Sequence, residues 1–278
     1  MILFLTATFF ILGLIIGSFL NVVIYRINTK KSLGGRSACM SCQSKLSWYE
    51  LIPVFSFFTL MGRCRSCKTK ISIQYPLVEL ASGLIFATLF FKFSNQCGPA
   101  MGGEFISCLF TPMLVITYIY YAFMFSLLLV ITTYDLKHKI IPDKLSLLFG
   151  VLAFLGLFFF NAHSYDSFYP HIPSILEFSS GVLIALPFAL LWLISSGRWM
   201  GLGDAKLVLG LGWFLGLSRA LSAVVLGFWS GAIVGILFII FSKYKMKSEL
   251  PFAPYLALGA FSAFIFGLSL FAPFRFLF

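Results

Sequence analysis

The sequence predicts an all-α membrane protein, a polytopic bundle of about eight transmembrane helices with a small cytoplasmic zinc-binding insert. Three observations predict it. First, 60% of the 278 residues are apolar and 10% are charged, with 35 phenylalanines and a mean hydropathy of +1.00. Soluble domains run to about 25% charged, and a globule of this length cannot hide so much apolar surface, so lipid must solvate it. Second, the apolar residues come in stretches near the roughly 20 residues that one helical crossing needs. Third, the basic residues are parcelled into alternate connections. The same composition excludes disorder, a collagen-like repeat and a small disulfide scaffold.

In chain order the apolar stretches fall near 2–25, 76–93, 109–133, 145–160, 175–195, 205–218, 220–242 and 254–273. The first lacks a basic start and is too long for a cleavable signal peptide, so it reads as a retained helix. The polar stretch 26–75 that follows holds Arg26, Lys30, Lys31, Arg36, Lys45, Arg63, Arg65, Lys68 and Lys70. The connection 134–144 adds Lys137, Lys139 and Lys144. Arg198 and Lys206 lie in 196–206, and Lys243, Lys245 and Lys247 in 243–249. Seventeen of the 20 Lys and Arg thus sit in these four connections, whereas 94–108 and 161–174 have none. Excess Lys and Arg marks cytoplasmic loops, which puts these four inside and both termini outside. The net charge of +11 is therefore a topology signal and no footprint of nucleic acid.

The sixth stretch is the weakest. Residues 207–217 give only 11 uninterrupted apolar positions before Ser218 and Arg219. The basic loops on either side of 205–242 must share a face, which requires an even number of crossings. These 38 residues therefore cross twice, the first crossing short and glycine-rich, or not at all. Two crossings are the favoured reading.

Cys39-x2-Cys42 and Cys64-x2-Cys67 stand 21 residues apart in the first cytoplasmic stretch. Each pair presents two thiolates from one tight knuckle, and two knuckles complete a tetrahedral shell for structural zinc. A reducing cytoplasm argues against two disulfides. A stretch of about 50 residues with few core positions also needs such a staple. Cys97 and Cys108, at the ends of the outer connection, suit either a disulfide or two idle thiols.

Only nine Asp and Glu occur, and a carboxylate near the bilayer is costly enough to need a reason. Asp135 ends the third helix in Tyr134-Asp135-Leu136-Lys137-His138. Asp204 opens the sixth in Gly201-Leu202-Gly203-Asp204-Ala205-Lys206. The charge-derived topology puts both at the cytoplasmic boundary on different helices. Two carboxylates meeting there cannot both ionise easily, so one keeps a proton while the other draws one from water. Gly201 and Gly203 would let backbone approach a substrate strand. The alternatives are ordinary: Asp204 capping a helix that starts at Ala205, and Asp135 paired with Lys137 or Lys139. Asp143 reads as the cap of the fourth helix. Glu79 and Glu177 read as structural or supporting carboxylates, with Asn21 and Arg26 as candidate partners. His138, His163 and His171 lack ligand spacing.

Several segments carry a resemblance: Gly17-Ser18-Phe19-Leu20-Asn21-Val22-Val23, Trp48-Tyr49-Glu50-Leu51-Ile52-Pro53, Ile71 through Glu79, Asp135 through Asp143, and Gly201 through Leu207. Together with the four-cysteine insert, in this order, they resemble the prepilin peptidases, or type IV leader peptidases, over essentially the whole chain. Gly-x-Gly-Asp is weak alone but specific in that company. The resemblance implies an intramembrane aspartic protease of the bacterial cytoplasmic (inner) membrane, its active site facing the cytoplasm. Its substrates would be type IV prepilins or type II secretion pseudopilins, cut after a glycine that ends a basic leader. It also implies N-methylation of the new N-terminus by S-adenosylmethionine. Carried over, Asp135 and Asp204 match the catalytic pair, and Cys39, Cys42, Cys64 and Cys67 the metal ligands. No glycine-rich element marks the methyl donor's site; Glu50 and Arg63 beside the knuckles are the candidates.

Three positions depart from the family pattern: Cys-Met-Ser-Cys in the first knuckle, Ile27-Asn28 after Arg26, and Ala253 in Pro251-Phe252-Ala253-Pro254. None touches the aspartates. The domains expected are a first transmembrane helix over 1–25, a cytoplasmic zinc-binding, methyltransferase-associated domain over 26–75, and a transmembrane peptidase domain over 76–278. Two rival readings remain, a peptidase without methyl transfer and a transporter that uses the aspartates as ion ligands. Transporters place such ligands near the bilayer midplane on broken helices, whereas these aspartates lie at loop boundaries.

Overall fold

The computed structural model describes residues 1–27, 29, 34–97, 105–160, 168–241 and 250–270. Lys30, Lys31, His163, Lys243, Lys245 and Lys247 lie outside the described residues. The described chain is helical, with isolated β-bridges in place of strands, and falls into two compact units, Met1–Ala100 and Met101–Phe278.

In the first unit α1 (Ile2–Arg26) packs along α3 (Gln74–Ser94), with a short α2 (Phe55–Thr59) in the insert between them. Small residues let the two long helices meet closely, as at interfaces between helices in lipid. A Cβ on Gly13 would stand 2.7 Å from the Ser82 carbonyl oxygen, and one on Gly17 would stand 2.7 Å from Glu79 Cα. Phe9 stacks on Phe90 at 4.3 Å, and Tyr25 on Tyr75 at 5.0 Å. Much of α1 stays exposed, Leu3 and Phe4 among its apolar side chains. An apolar face of that kind is suited to lipid.

The second unit runs α4 (Phe105–Leu109), α5 (Pro112–His138), α6 (Asp143–Gly156), α7 (Ile175–Ser195), α8 (Leu202–Leu215), α9 (Leu217–Phe241) and α10 (Ala253–Phe266). Its core forms where α8 meets α6, α7, α9 and α10, and where α10 also packs on α5. Leu207, Val208, Leu211 and Leu215 of α8 are fully buried, as are Met124, Leu128 and Ile131 of α5 and Phe149 of α6. Phe214 joins this core through rings, 5.2 Å from Phe125 and 5.4 Å from Tyr121. Such edge and offset contacts add to simple burial. Glycines bring α8 against its neighbours: a Cβ on Gly212 would fall 2.6 Å from Gly181 Cα of α7.

These helices occupy the positions expected for the eight apolar stretches. Five of them (α1, α3 continued to Cys97, α5, α7 and α9) are long and apolar enough to cross a membrane by themselves. The other three, α6, α8 and α10, have 14 residues each, or about 21 Å of rise. The helix break inside 205–242 falls at Gly216, not at Ser218–Arg219, because its φ of 75° and ψ of 163° suit only a residue without a side chain. Asp143 is the first residue of α6, with Pro142 in the capping position. Its carboxylate therefore meets the positive end of the helix from inside the first turn. Cys97 and Cys108 are each disulfide-bonded.

Candidate active site and metal centre

Asp135 lies in the last turn of α5. The helix stops four residues later at Lys139, whose left-handed backbone (φ 54°) lets its N–H reach the Asp135 carbonyl. The Asp135 side chain is only 4% exposed, while Lys137 and Lys139 are exposed. Its Oδ2 accepts the Ala253 N–H at 3.2 Å, so one of the three departures from the family pattern, Ala253, does touch an aspartate, against the expectation from the sequence. Ala253 opens α10 and is followed by Pro254, so its N–H is one of the donors that a helix start leaves without an internal partner. A carboxylate at that end also meets the positive pole of the helix. Asp135 is thus pinned by the beginning of another helix.

Asp204 is the third residue of α8, whose capping position is Gly201. It is therefore not the cap of a helix starting at Ala205. The half-buried carboxylate reaches back to accept the Gly201 N–H, and the charge of Asp135 acts on it across the site. Two contacts draw this helix start to the turn that follows Asp135. Gly203 leaves room for Ile141, since a Cβ there would meet Ile141 Cβ at 3.0 Å. Lys206 Nζ donates to Asp143 Oδ1 at 2.6 Å. The second unit thus brings together the two aspartates that the sequence singles out.

The four cysteines converge in the first unit, their sulfurs all within 4.8 Å of one another. The knuckles repeat one construction. Cys39 N–H bonds to the Ser44 carbonyl and Gln43 N–H to the Cys39 carbonyl; Cys64 N–H bonds to Thr69 and Lys68 N–H to Cys64 in the same way. Gln43 and Lys68 both take φ 58°. Each knuckle is closed by an antiparallel bridge, Ala38 to Lys45 and Arg63 to Lys70. Tetrahedral zinc at about 2.3 Å from sulfur puts sulfurs about 3.8 Å apart, and Cys39 and Cys67 Sγ are 3.8 Å apart. Hydrogen bonding to the Thr69 side chain, and then to its backbone, pulls the Cys67 thiol down to about 6. Its thiolate, the form that binds metal, is therefore accessible at neutral pH. Donor set and spacing fit a four-thiolate metal.

The remaining candidates are placed as follows. Glu50 Oε2 accepts the Ser47 N–H at 2.7 Å, which commits it to closing the 3-10 turn Trp48–Leu51. Arg63 begins the second knuckle. Glu79, 7% exposed, accepts the Val54 N–H at 2.7 Å within the first unit. Arg26 Nη1 donates to the Gly34 carbonyl. Glu177 caps α7 by accepting the Ser174 N–H at 2.8 Å, and stands 3.7 Å from His171. The His138 ring lies against Tyr134. Sequence reasoning did not find the Ala253 N–H on Asp135 or the Asp143–Lys206 pair. Pro254 just inside a helix start was the available signal for the first; the second, between residues 63 positions apart, left none.

Fold and site define a helical membrane protein with many apolar helices that assembles two carboxylates in one unit and four thiols in the other. Residues 11–93 match the family described as the bacterial peptidase A24 N-terminal domain, and residues 122–236 match the type IV leader peptidase family. A protein of Xanthomonas campestris pv. campestris named prepilin leader peptidase/N-methyltransferase is 30% identical, covering 92% of this chain and 89% of its own. Proteins of the same name from Pseudomonas aeruginosa (30%, 92% and 89%) and Myxococcus xanthus (35%, 83% and 62%) are similar too. The chain belongs to the type IV leader peptidase family. No solved structure matches it.

Proposed function

We propose that this chain processes prepilins or pseudopilins in two steps at the cytoplasmic face of a bacterial inner membrane. It removes the basic leader after a glycine and then N-methylates the exposed N-terminus. In this reading residues 26–75 form the methyltransferase-associated domain and 76–278 the peptidase domain. The observation that carries the first step is the second unit's assembly of Asp135 and Asp204 in a chain of this family.

The chemistry follows from their surroundings. A substrate crossing the membrane as an apolar helix presents its leader junction at the inner boundary, where the glycine weakens the helix. One aspartate, ionised, takes a proton from water as that water attacks the glycine carbonyl. The other, protonated, hydrogen-bonds the carbonyl oxygen and stabilises the developing charge. Collapse of the tetrahedral intermediate sends a proton to the leaving amine. The Ala253 N–H holds one carboxylate and Gly201 the other, so neither must reorganise during the reaction.

The cysteine cluster would hold zinc, whose four thiolates leave no open position and assign it a structural part. S-adenosylmethionine supplies the methyl group. A mass measurement on a candidate prepilin incubated with the enzyme and S-adenosylmethionine tests both steps. The expected product has lost its leader and gained one methyl group. An uncut precursor, with the protein folded and in membranes, would overturn the reading.

A further inference from the structure

We infer that Glu79, Asn21 and Ser18 of the first unit form a receptor for an ammonium group. This rests on the methyl-transfer reading above, and the group is either the α-ammonium of the cleaved substrate or that of the methyl donor.

The three residues occupy neighbouring turns of the α1–α3 seam. Gly17 lies against Glu79, and Asn21, one turn on, lies against Tyr75, one turn back from Glu79. Glu79 brings a buried carboxylate, with two oxygens able to accept about four hydrogen bonds. Its donors are the Val54 N–H at 2.7 Å and the Ser18 hydroxyl, both neutral. Asn21 is 1% exposed, and its Nδ2 donates to the Tyr75 carbonyl at 3.1 Å. That bond fixes the amide's orientation and leaves Oδ1 buried with no hydrogen-bond partner. Buried polar atoms in folded proteins are nearly always satisfied. Ser82 Oγ in the same seam and Gln74 Nε2 at its end are also buried without a partner, but both are neutral. Among the described residues the carboxylate and its spare acceptors therefore meet no cation with several N–H groups. An ammonium, with three donors and a positive charge, matches on both counts.

A second observation lies on the insert side. Val54 has φ 60° and ψ −50°, the centre of a γ-turn closed by the Phe55 N–H on the Pro53 carbonyl. This conformation is strained for a β-branched residue. Strain of this kind persists where surrounding contacts enforce it and clusters at functional sites. Glu79 accepts the N–H of this residue, so the carboxylate ties the cysteine-bearing insert to the helix seam where its free acceptors lie.

Glu79→Gln tests the assignment, because the amide oxygen can still accept from Val54 and Ser18 while the charge is lost. The full chain is assayed in detergent with a synthetic peptide bearing the free mature N-terminus and with S-adenosylmethionine; binding of S-adenosylhomocysteine is titrated separately. Prepilin cleavage and metal content should match wild type, and affinity for one ligand should fall at least tenfold. A raised KM for the peptide alone identifies the substrate's ammonium; a raised Kd for S-adenosylhomocysteine identifies the donor's. Asn21→Ala should shift the same constant in the same direction by a smaller factor. Wild-type constants for both ligands in both variants would overturn the proposal. So would loss of cleavage and metal together with methyl transfer, which would mark Glu79 as a folding residue. A wild-type protein that transfers no methyl group and binds neither ligand overturns the methyl-transfer reading, and this inference with it.

Discussion

Asp135 is held by a backbone N–H from a helix more than a hundred residues away along the chain, and Asp204 by the backbone of its own first turn. Their identity was legible in the sequence because charge is scarce: nine acids in 278 residues, two of them at ends of apolar stretches that the pattern of basic connections assigns to one side. Their anchoring was legible only in part: Pro254 marks the helix start that holds Asp135, but a backbone donor has no residue type of its own to betray it. The four cysteines were legible for the opposite reason, since ligand chemistry demands both the residue and its spacing. What the spacing could not show is the repeated Ser44 and Thr69 contacts that tune two of the sulfurs. The Cys67 thiol sits at about 6, lowered by its bonds to Thr69. Its thiolate is therefore present above that pH and is lost as pH falls through it. In metal-stripped protein, alkylation of Cys67 should be half-maximal near pH 6, as read by mass spectrometry after brief labelling. A midpoint near 9 would show that Thr69 does not act on it.

At the scale of elements, the apolar stretches and their order were readable from hydropathy, and the helix ends less so. Asp143 and Asp204 were both read as possible helix starts, yet each helix begins without using them as caps, at Pro142 and Gly201. Both capping residues take extended backbone, Pro142 at φ −70°, ψ 117° and Gly201 at φ −74°, ψ 147°, so each helix has already begun before its carboxylate. The acids are thereby left for other work: Asp143 for Lys206, Asp204 for the site. The Asp143–Lys206 pair is exposed, and such pairs contribute up to about 1 kcal/mol. Lys206→Glu should thus leave stability almost unchanged and slow cleavage up to about fivefold. The exchanged double variant, Asp143→Lys with Lys206→Glu, should recover the rate. No recovery in a kinetic comparison of the three proteins would show that the pair does not position the site. The glycine contact between α7 and α8 is a different matter, because it is backbone against backbone. Gly212→Val must push α7 away and should cost about 1–3 kcal/mol, read as a lower unfolding temperature in detergent.

Across the whole molecule, composition and the alternation of basic loops account for the class of protein, while the structure adds which helices make each core. Helices α6, α8 and α10 are too short to be recognised as crossings by length, and α8 carries much of the second unit's buried surface. Of the three, α8 is the one its neighbours cover, whereas α6 keeps Leu147, Val151 and Leu155 exposed and α10 keeps Leu258 and Phe266 exposed, so α8 depends most on protein contacts. The insert of the first unit is expected to need its cysteine cluster as small domains need a staple. Metal analysis of purified protein should find about one zinc ion per chain, lost in Cys39→Ser. Prepilin cleavage by that variant should persist even as methyl transfer falls. Equal zinc content with and without Cys39 would contradict the cluster's role.

The carboxylate pair is tested most directly by replacing Asp135 and Asp204 singly with Asn and following prepilin trimming in membranes by mass. Either replacement should slow cleavage at least about a hundredfold, the scale of a lost general acid or base, while a pre-cut pilin is still methylated. Trimming at the normal rate with both aspartates replaced would contradict it.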